Sequence, residues 1–380
     1  MIYLDNNATT RTAPSVVEAM APYWSEAYFN PTSLAAQFEG IRRPLDLAVE
    51  RLATLLNASP DEFTLTSGST EANNWVLQSI SAERLRTTGA CHIVISAIEH
   101  PSIIETATEL HTRDPRIQVA HVPVNSNGVI DLEALRQLLR SDTALVSIML
   151  ANNETGVIQP VQEASLIVKS NSPICLFHTD ATQAVGKVGI DLQSLKHVDL
   201  LSLSAHKFHG PKGIGSLFIR EGTRIESWMH GGSQQGGRRA GTESPALAAG
   251  IAKAIELLGT KQEIATRAKR ISAMRNRLEV KLGRIHPSAI VLGRDVPRLS
   301  NTSLLVFPGV EGEMLVHRLF GNGIVVSTGA ACSNGSDSPS HVVLGMGIDY
   351  TIARDTLRVS LSNATTKMEI DSLLSFLGAI

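Results

Sequence analysis

From residue 62 onward, short and nearly unbroken apolar runs alternate with stretches long enough for helices. Strands are predicted at Phe63–Thr66, Ile93–Ser96, Gln118–Val122, Leu145–Leu150, Ile174–Thr179, Asp199–Leu203 and Gly215–Ile219. A strand that is apolar on both faces has to be covered on both faces, and helix-length connections favour parallel pairing. The pattern therefore restricts the chain to an α/β architecture, with a large domain holding a mainly parallel, seven-stranded sheet covered by helices. Upstream, apolar residues recur at three and four from Pro14 to Trp24 and from Leu45 to Leu56, which predicts helices there. The alternation stops near residue 258. Beyond it, a charged helix from Lys261 to Gly283 leads into a smaller α+β domain. Its predicted strands are Ser288–Leu292, Thr302–Phe307, Ile324–Val326 and Thr356–Ser360, and its predicted helices Glu311–Phe320 and Lys367–Leu377. The expected division is an N-terminal segment, 1–13, packing with the small domain, a large domain, 14–258, and a small domain, 259–380.

A chain of 380 residues, 43% of them apolar, can bury a large core. A net charge of -2 with dispersed Lys and Arg leaves no electrostatic footprint for nucleic acid or an anionic membrane. No run approaches a membrane span, and the start Met1-Ile-Tyr-Leu-Asp-Asn-Asn lacks the basic and apolar regions of a signal peptide. The expectation is a cytoplasmic globular protein that acts on a small molecule or a protein partner. Three cysteines make no disulfide framework. Cys91 and Cys175 fall in strand-like apolar runs and are expected to be inert core thiols.

The chemistry concentrates at the ends of predicted strands. Ser202 to Gly215 reads Ser-Leu-Ser-Ala-His-Lys-Phe-His-Gly-Pro-Lys-Gly-Ile-Gly, which places Lys207 among hydroxyls and imidazoles just before a glycine-rich run where backbone can approach a ligand closely. A lysine captures a carbonyl only as the neutral amine, and Ser204 and His206 are donors suited to phosphate oxygens. His206 and His209 could also ligate a metal, but no third ligand sits at matching spacing. Thr66-Ser-Gly-Ser-Thr-Glu-Ala-Asn73 follows a strand and opens a helix, so its backbone N–H groups with Ser69 and Thr70 suit an anion. An ordinary capping box ending at Glu71 accounts for the same residues. Asp180, at the end of a buried strand, calls for a cationic partner such as a protonated heterocyclic nitrogen, with Gln183 near a ring oxygen. A helix N-cap is the alternative. His100, before a helix that Pro101 would initiate, could stack on an aromatic cofactor and move protons.

The ordered set Ser67-Gly-Ser-Thr-Glu71, Glu99-His100, Asn152-Asn-Glu-Thr-Gly156, Asp180-Ala-Thr-Gln183, Ser204-Ala-His-Lys207 and Arg239-Ala-Gly-Thr242, with the opening Tyr3-Leu-Asp-Asn-Asn-Ala-Thr-Thr10, resembles the pyridoxal-phosphate-dependent cysteine desulfurases. These are class V aminotransferase-like enzymes of fold type I. The resemblance implies that Lys207 holds pyridoxal 5'-phosphate as an internal aldimine, that Asp180 pairs with its ring nitrogen, and that His100 stacks on the ring and shuttles protons. It further implies Gln183 at the ring hydroxyl, Asn153 and Ser69 among the cofactor-binding residues, and Thr70, Ser204 and His206 at the phosphate. A threonine matching Thr242 reaches the neighbouring subunit's phosphate, which implies a homodimer. Ser327-Thr-Gly-Ala-Ala-Cys332-Ser-Asn-Gly-Ser is similar to the family's active-cysteine loop, and its small residues suit an accessible thiol. Arg358 and Asn153 match the groups that hold the substrate carboxylate, a task suited to a planar guanidinium.

The implied reaction converts L-cysteine to L-alanine, with sulfur carried on Cys332 as a persulfide for an acceptor protein in iron–sulfur cluster assembly or thiolation. A selenocysteine lyase or another β-lyase of the same scaffold is the alternative. The chain departs from the family at Gln235-Gly236, where relatives commonly carry Glu-Arg and a local ion pair, at Thr328 and Ala330 in place of serines, and at Ser362-Asn363 in place of Gly-Arg.

Overall fold

The computed structural model describes residues 1–329 and 339–379, apart from the side chain of Gln37. Strand β1 (Ile2–Tyr3) opens the chain, followed by β2 (Phe63–Thr66), β3 (Cys91–Ser96), β4 (Ile117–Val122), β5 (Thr143–Ser147), β6 (Leu176–Asp180), β7 (Leu200–Ser204) and β8 (Gly215–Ile219). The last seven form one sheet in the order β2-β8-β7-β6-β5-β3-β4. Only β8 runs against its neighbours, pairing antiparallel with both β2 and β7. The carboxyl ends of β2, β3, β5, β6 and β7 therefore share one edge, where open α/β sheets keep their ligands. Five of the strands are buried along their whole length, and in β3, β5, β7 and β8 apolar residues accordingly stand next to one another, whereas the edge strand β2, Phe-Thr-Leu-Thr, alternates.

Of the expected run Leu145–Leu150, the strand keeps only the part to Ser147: Met149 turns its N–H to the Glu99 carboxylate at 2.7 Å, while Ile148 and Leu150 N–H still donate to the His178 and Asp180 carbonyls at 3.1 and 2.9 Å. The expected Pro14–Trp24 helix is two pieces, Pro14–Met20 and Pro22–Ser25, because Pro22 brings no N–H to continue the first.

The remaining strands are β9 (Ile290–Leu292), β10 (Thr302–Val306), β11 (Ile324–Val325) and β12 (Thr356–Ser360). β10 lies between β12 and β9 in an antiparallel three-stranded sheet. β11 instead pairs in parallel with β1, and Leu4 enters the apolar core formed by the Lys261–Ile285 and Lys367–Leu377 helices with β10 and β12. Cys91 and Cys175 are buried, and burial pushes their thiols up to about 11 and about 12. No helix among the described residues is long and apolar enough to cross a membrane.

Candidate active site

At the end of β7, one 3-10 turn, Ala205–Lys207, carries the lysine to the sheet edge. Its Nζ donates to the carbonyls of Asn7 at 2.6 Å and Ala8 at 2.7 Å. The N-terminal segment is fastened there by Thr10, whose N–H and hydroxyl both donate to the His206 carbonyl at 2.9 and 2.8 Å. Burial, with Lys207, Lys212 and Lys187 adding to it, pulls His206 down to about 4, so its ring is neutral and Nδ1 meets Thr9 Oγ1 at 3.1 Å.

Beside this turn, the Ser69–Thr88 helix begins after Gly68 with no side-chain cap. A Cβ on Gly68 would lie 3.2 Å from Ser204 Oγ, and one on Gly215 2.7 Å from Gly68 Cα, so glycines let the β2 turn press against β7 and β8. Ser69 N–H donates to Ser204 Oγ at 2.7 Å, and the Ser204 hydroxyl donates to Ser69 Oγ at 3.1 Å. Glu71 caps only partly. It accepts Ser67 N–H at 2.8 Å and takes the Arg239 fork at 2.9 and 3.1 Å. Burial works against the Glu71 carboxylate, yet these donors hold it below its usual range. The ion pair binds the Arg239–Thr242 loop to the helix start. Thr70 and Thr242 are both exposed. Gln235 fastens the same loop to the edge strand, accepting Leu65 N–H at 2.6 Å and donating to Leu65 O at 2.9 Å.

Asp180 is buried at the end of β6. One carboxylate oxygen accepts Thr182 N–H at 2.8 Å and the other accepts Asn73 Nδ2 at 2.8 Å, but it forms no ion pair with the described residues. The same Asn73 nitrogen donates to Ser102 Oγ at 2.9 Å, and that hydroxyl donates in turn to His100 Nδ1 at 2.9 Å. His100 is also the N-cap of the Pro101–Arg113 helix and accepts Ser102 N–H at 3.1 Å. With Nδ1 an acceptor, the neutral ring carries its proton on Nε2. Burial lowers the His100 pKa, Lys207 and His341 add to this, and Asp180 opposes it. Glu99 next to it is fully buried, and burial raises it to about 8.

Gln183 donates to the Asn7 carbonyl at 2.9 Å and accepts from Lys187 Nζ at 2.7 Å. Arg358, in the middle of β12 and 2% exposed, donates to Asp5 Oδ1 at 2.8 Å and to the Asn153 carbonyl at 3.2 Å. Next to Asn153, burial raises the Glu154 pKa, and Ser340 donates to its carboxylate at 2.5 Å.

Lys207, Asp180, His100, Ser204, His206 and Ser69 thus lie at the carboxyl edge of the seven-stranded sheet, with Gln183 and Asn153 on the connections after β6 and β5 and Arg358 on β12. Cys332 lies outside the described residues. Asn73, Ser102 and Asp5 escaped the sequence reading. The available signal for Asn73 was a polar residue three and four positions before the buried Val76 and Leu77, on the apolar face of its helix.

Three features fit a flat, phosphorylated ring with a protonated nitrogen. Among the described residues, the buried Asp180 lacks a cation and the buried Asn73 Oδ1 has no partner, and the start of a 20-residue helix, where Gly68 offers no side-chain cap, lies beside Ser204.

The aminotransferase class-V family model matches residues 2–373. Cysteine desulfurase IscS of Clostridium botulinum is 39% identical over 381 aligned positions, covering all of this chain and 94% of that protein. A NifS-like protein of known structure superposes with a TM-score of 0.90 at 37% identity, covering all of this chain and 98% of the other. The structure titled SspA in complex with cysteine gives 0.83 at 30% identity, covering 96% of this chain and all of the other. With its motifs placed on one sheet edge and its whole length matched, the chain belongs to the cysteine desulfurases of the class-V aminotransferase family.

Proposed function

We propose that the protein converts L-cysteine to L-alanine with pyridoxal 5'-phosphate and passes the sulfur through Cys332 to an acceptor protein in the cytoplasm. The observation that carries this reading is the placement of Lys207 and the buried, cation-seeking Asp180 on adjacent parallel strands, β7 and β6. A relative captured with cysteine supports the substrate.

Lys207 would hold the cofactor through its amine and, once the amine of cysteine has displaced it, would take the substrate α-proton at Nζ. Asp180, held by Asn73 and Thr182, would pair with the ring nitrogen. His100 would stack on the ring and donate from Nε2, while Gln183 and Asn153 would meet the polar groups at its edge. Ser69, Thr70, Ser204 and His206 hold the phosphate, a neutral His206 acting as a donor rather than a charge. When bound, the cofactor supplies an electron sink for negative charge at the substrate α-carbon. Arg358 grips the substrate carboxylate together with Asn153. Cys332 Sγ, as thiolate, bonds to the substrate sulfur as the Cβ–S bond breaks. The electron pair of that bond stays on carbon, which is protonated to give alanine and leaves a persulfide on Cys332. Residues 259–380 form the domain that carries this cysteine, with segment 1–13 packed on it.

Thr242 reaches the phosphate site of a second copy in a homodimer. Its exposure supports this, as do the large exposed side chains of Trp24, Tyr28, Leu34 and Phe38, each more than 60% accessible. Alanine release from L-cysteine by the purified protein tests the reading, with Lys207→Ala and Cys332→Ser alongside. Alanine with protein-bound persulfide in the wild type, lost in both variants, is the expected result. Full activity in Cys332→Ser contradicts the persulfide route, and no alanine from a cofactor-loaded wild type contradicts the substrate.

A further inference from the structure

A second lysine stands behind Lys207. Lys187 and Lys207 both line a cavity of about 650 Å³ between the large-domain residues Phe208 and Leu258 and the small-domain residues Ile271 and Asn363. Lys187 Nζ donates to Gln183 Oε1 at 2.7 Å, Gln183 Nε2 donates to the Asn7 carbonyl at 2.9 Å, and that carbonyl also accepts Lys207 Nζ at 2.6 Å. The two amines thus meet through one side-chain amide and one peptide carbonyl. The amide can sit only one way round, because flipping it would set Gln183 Oε1 against the Asn7 oxygen.

We propose that Lys187 is a positioning residue for Lys207, holding Gln183 and the Asn7 carbonyl in the arrangement that aims the Lys207 amine and repelling a proton from it. The inference rests on Lys207 being the lysine that holds the cofactor.

The surroundings support both parts. Burial, then Lys207 and Arg358, pull the Lys187 amine down to about 7, so its charge is in play at neutral pH. Lys187 in turn lowers His206 and His209 on the turn after β7. Arg11 and Arg267 also line the cavity, and Glu369 is the one acidic side chain among its described lining residues. Repulsion between two amines is mutual, so a group that Lys207 drives toward neutrality acts the same way on Lys207.

The test compares wild type, Lys187→Met and Lys187→Arg by two readouts. In the cofactor-loaded proteins, the pH midpoint of the visible absorbance reports the proton on the lysine–cofactor linkage. Methionine removes the charge and arginine makes it permanent, so the midpoint is expected highest in Lys187→Met and lowest in Lys187→Arg, about one pH unit apart, or tenfold in proton affinity. Coinciding midpoints, or the reverse order, overturn the proposal.

The second readout needs no cofactor. The pH dependence of Lys187 acetylation by acetic anhydride, followed by mass spectrometry, should be half-maximal near 7 and move upward in Lys207→Ala. A Lys187 that titrates near the solvated value of about 10, or that ignores Lys207→Ala, overturns the proposal. Failure of the wild type to take up colour with pyridoxal phosphate would remove the reading of Lys207, and the acetylation profile would still decide whether the two lysines are coupled.

Discussion

The Lys207 cradle and the Arg358 pole are linked through Asn7, whose carbonyl accepts Lys207 Nζ and whose amide donates to the Asn153 carbonyl that Arg358 also reaches, but they are built in opposite ways. The cradle is one sheet edge. Asp180, Lys207, His100 and the Ser69 helix start are delivered by β6, β7, β3 and β2, and neighbouring strands fix their spacing. Around it, burial pulls two bases down, His206 to about 4 and Lys187 to about 7. The pole is assembled from distant pieces of chain. Asp5 and Arg358 are 353 positions apart, and Asn153 comes from the connection after β5. It keeps its charge by pairing it, with the Arg358 guanidinium buried against Asp5. A burial-tuned cradle should answer to pH and to loss of single groups, whereas a paired pole should answer to loss of geometry.

The largest effect is expected at Lys207. Lys207→Ala should lower alanine release by about 10³-fold or more and abolish the yellow colour, as measured by steady-state assay and absorbance. A modest loss would mean that the cradle is not organised around this lysine.

Next comes acid sensitivity beneath the cradle. His178, fully buried on β6, has both ring nitrogens within 2.9 Å of the Ser147 and Ser202 hydroxyls, and burial lowers it to about 4. The unfolded chain binds this proton more readily, so full stability holds above pH 6.5 and is lost as pH falls toward 4. That shift corresponds to about 3 kcal/mol. Urea unfolding of wild type and His178→Gln across this window should show the stability of wild type falling more steeply by that amount. Parallel curves would break the picture of a burial-tuned sheet edge.

At the pole, Arg358→Lys keeps charge and loses the planar fork. It should raise KM for cysteine by about 10- to 100-fold, since a charged hydrogen bond contributes roughly 1.5–3 kcal/mol. A change in kcat alone would remove Arg358 from the carboxylate. The smallest effect is expected at Ser340→Ala, which takes a donor from the buried Glu154 and should cost about 1 kcal/mol in thermal or urea unfolding.

The same contrast explains what the sequence made legible. Asp180 and Lys207 could be read because each lies at or just past the carboxyl end of a strand that opens on apolar residues, Leu176-Phe177 and Leu200-Leu201, and a charged residue there marks the sheet edge where ligands sit. Asn73 and Ser102 could not, since helix polar residues resemble solvated ones until packing turns them inward; only the buried Val76 and Leu77 on the same face hinted otherwise. Asp5 was visible as an acid in an otherwise apolar opening, but its partner depends on β1 pairing with β11, a contact that no local pattern encodes. Likewise, Gln235-Gly236 stands where relatives commonly carry Glu-Arg, so the sequence showed only that a local ion pair is missing. The Gln235 side chain instead makes both bonds to Leu65.

The most direct test of the account is to load the protein with pyridoxal phosphate, reduce it with borohydride, digest it and locate the pyridoxyl group by mass spectrometry. The account predicts the label on Lys207 in the wild type, and on Lys207 also in Lys187→Arg. A label on Lys187, or on neither lysine, would contradict it.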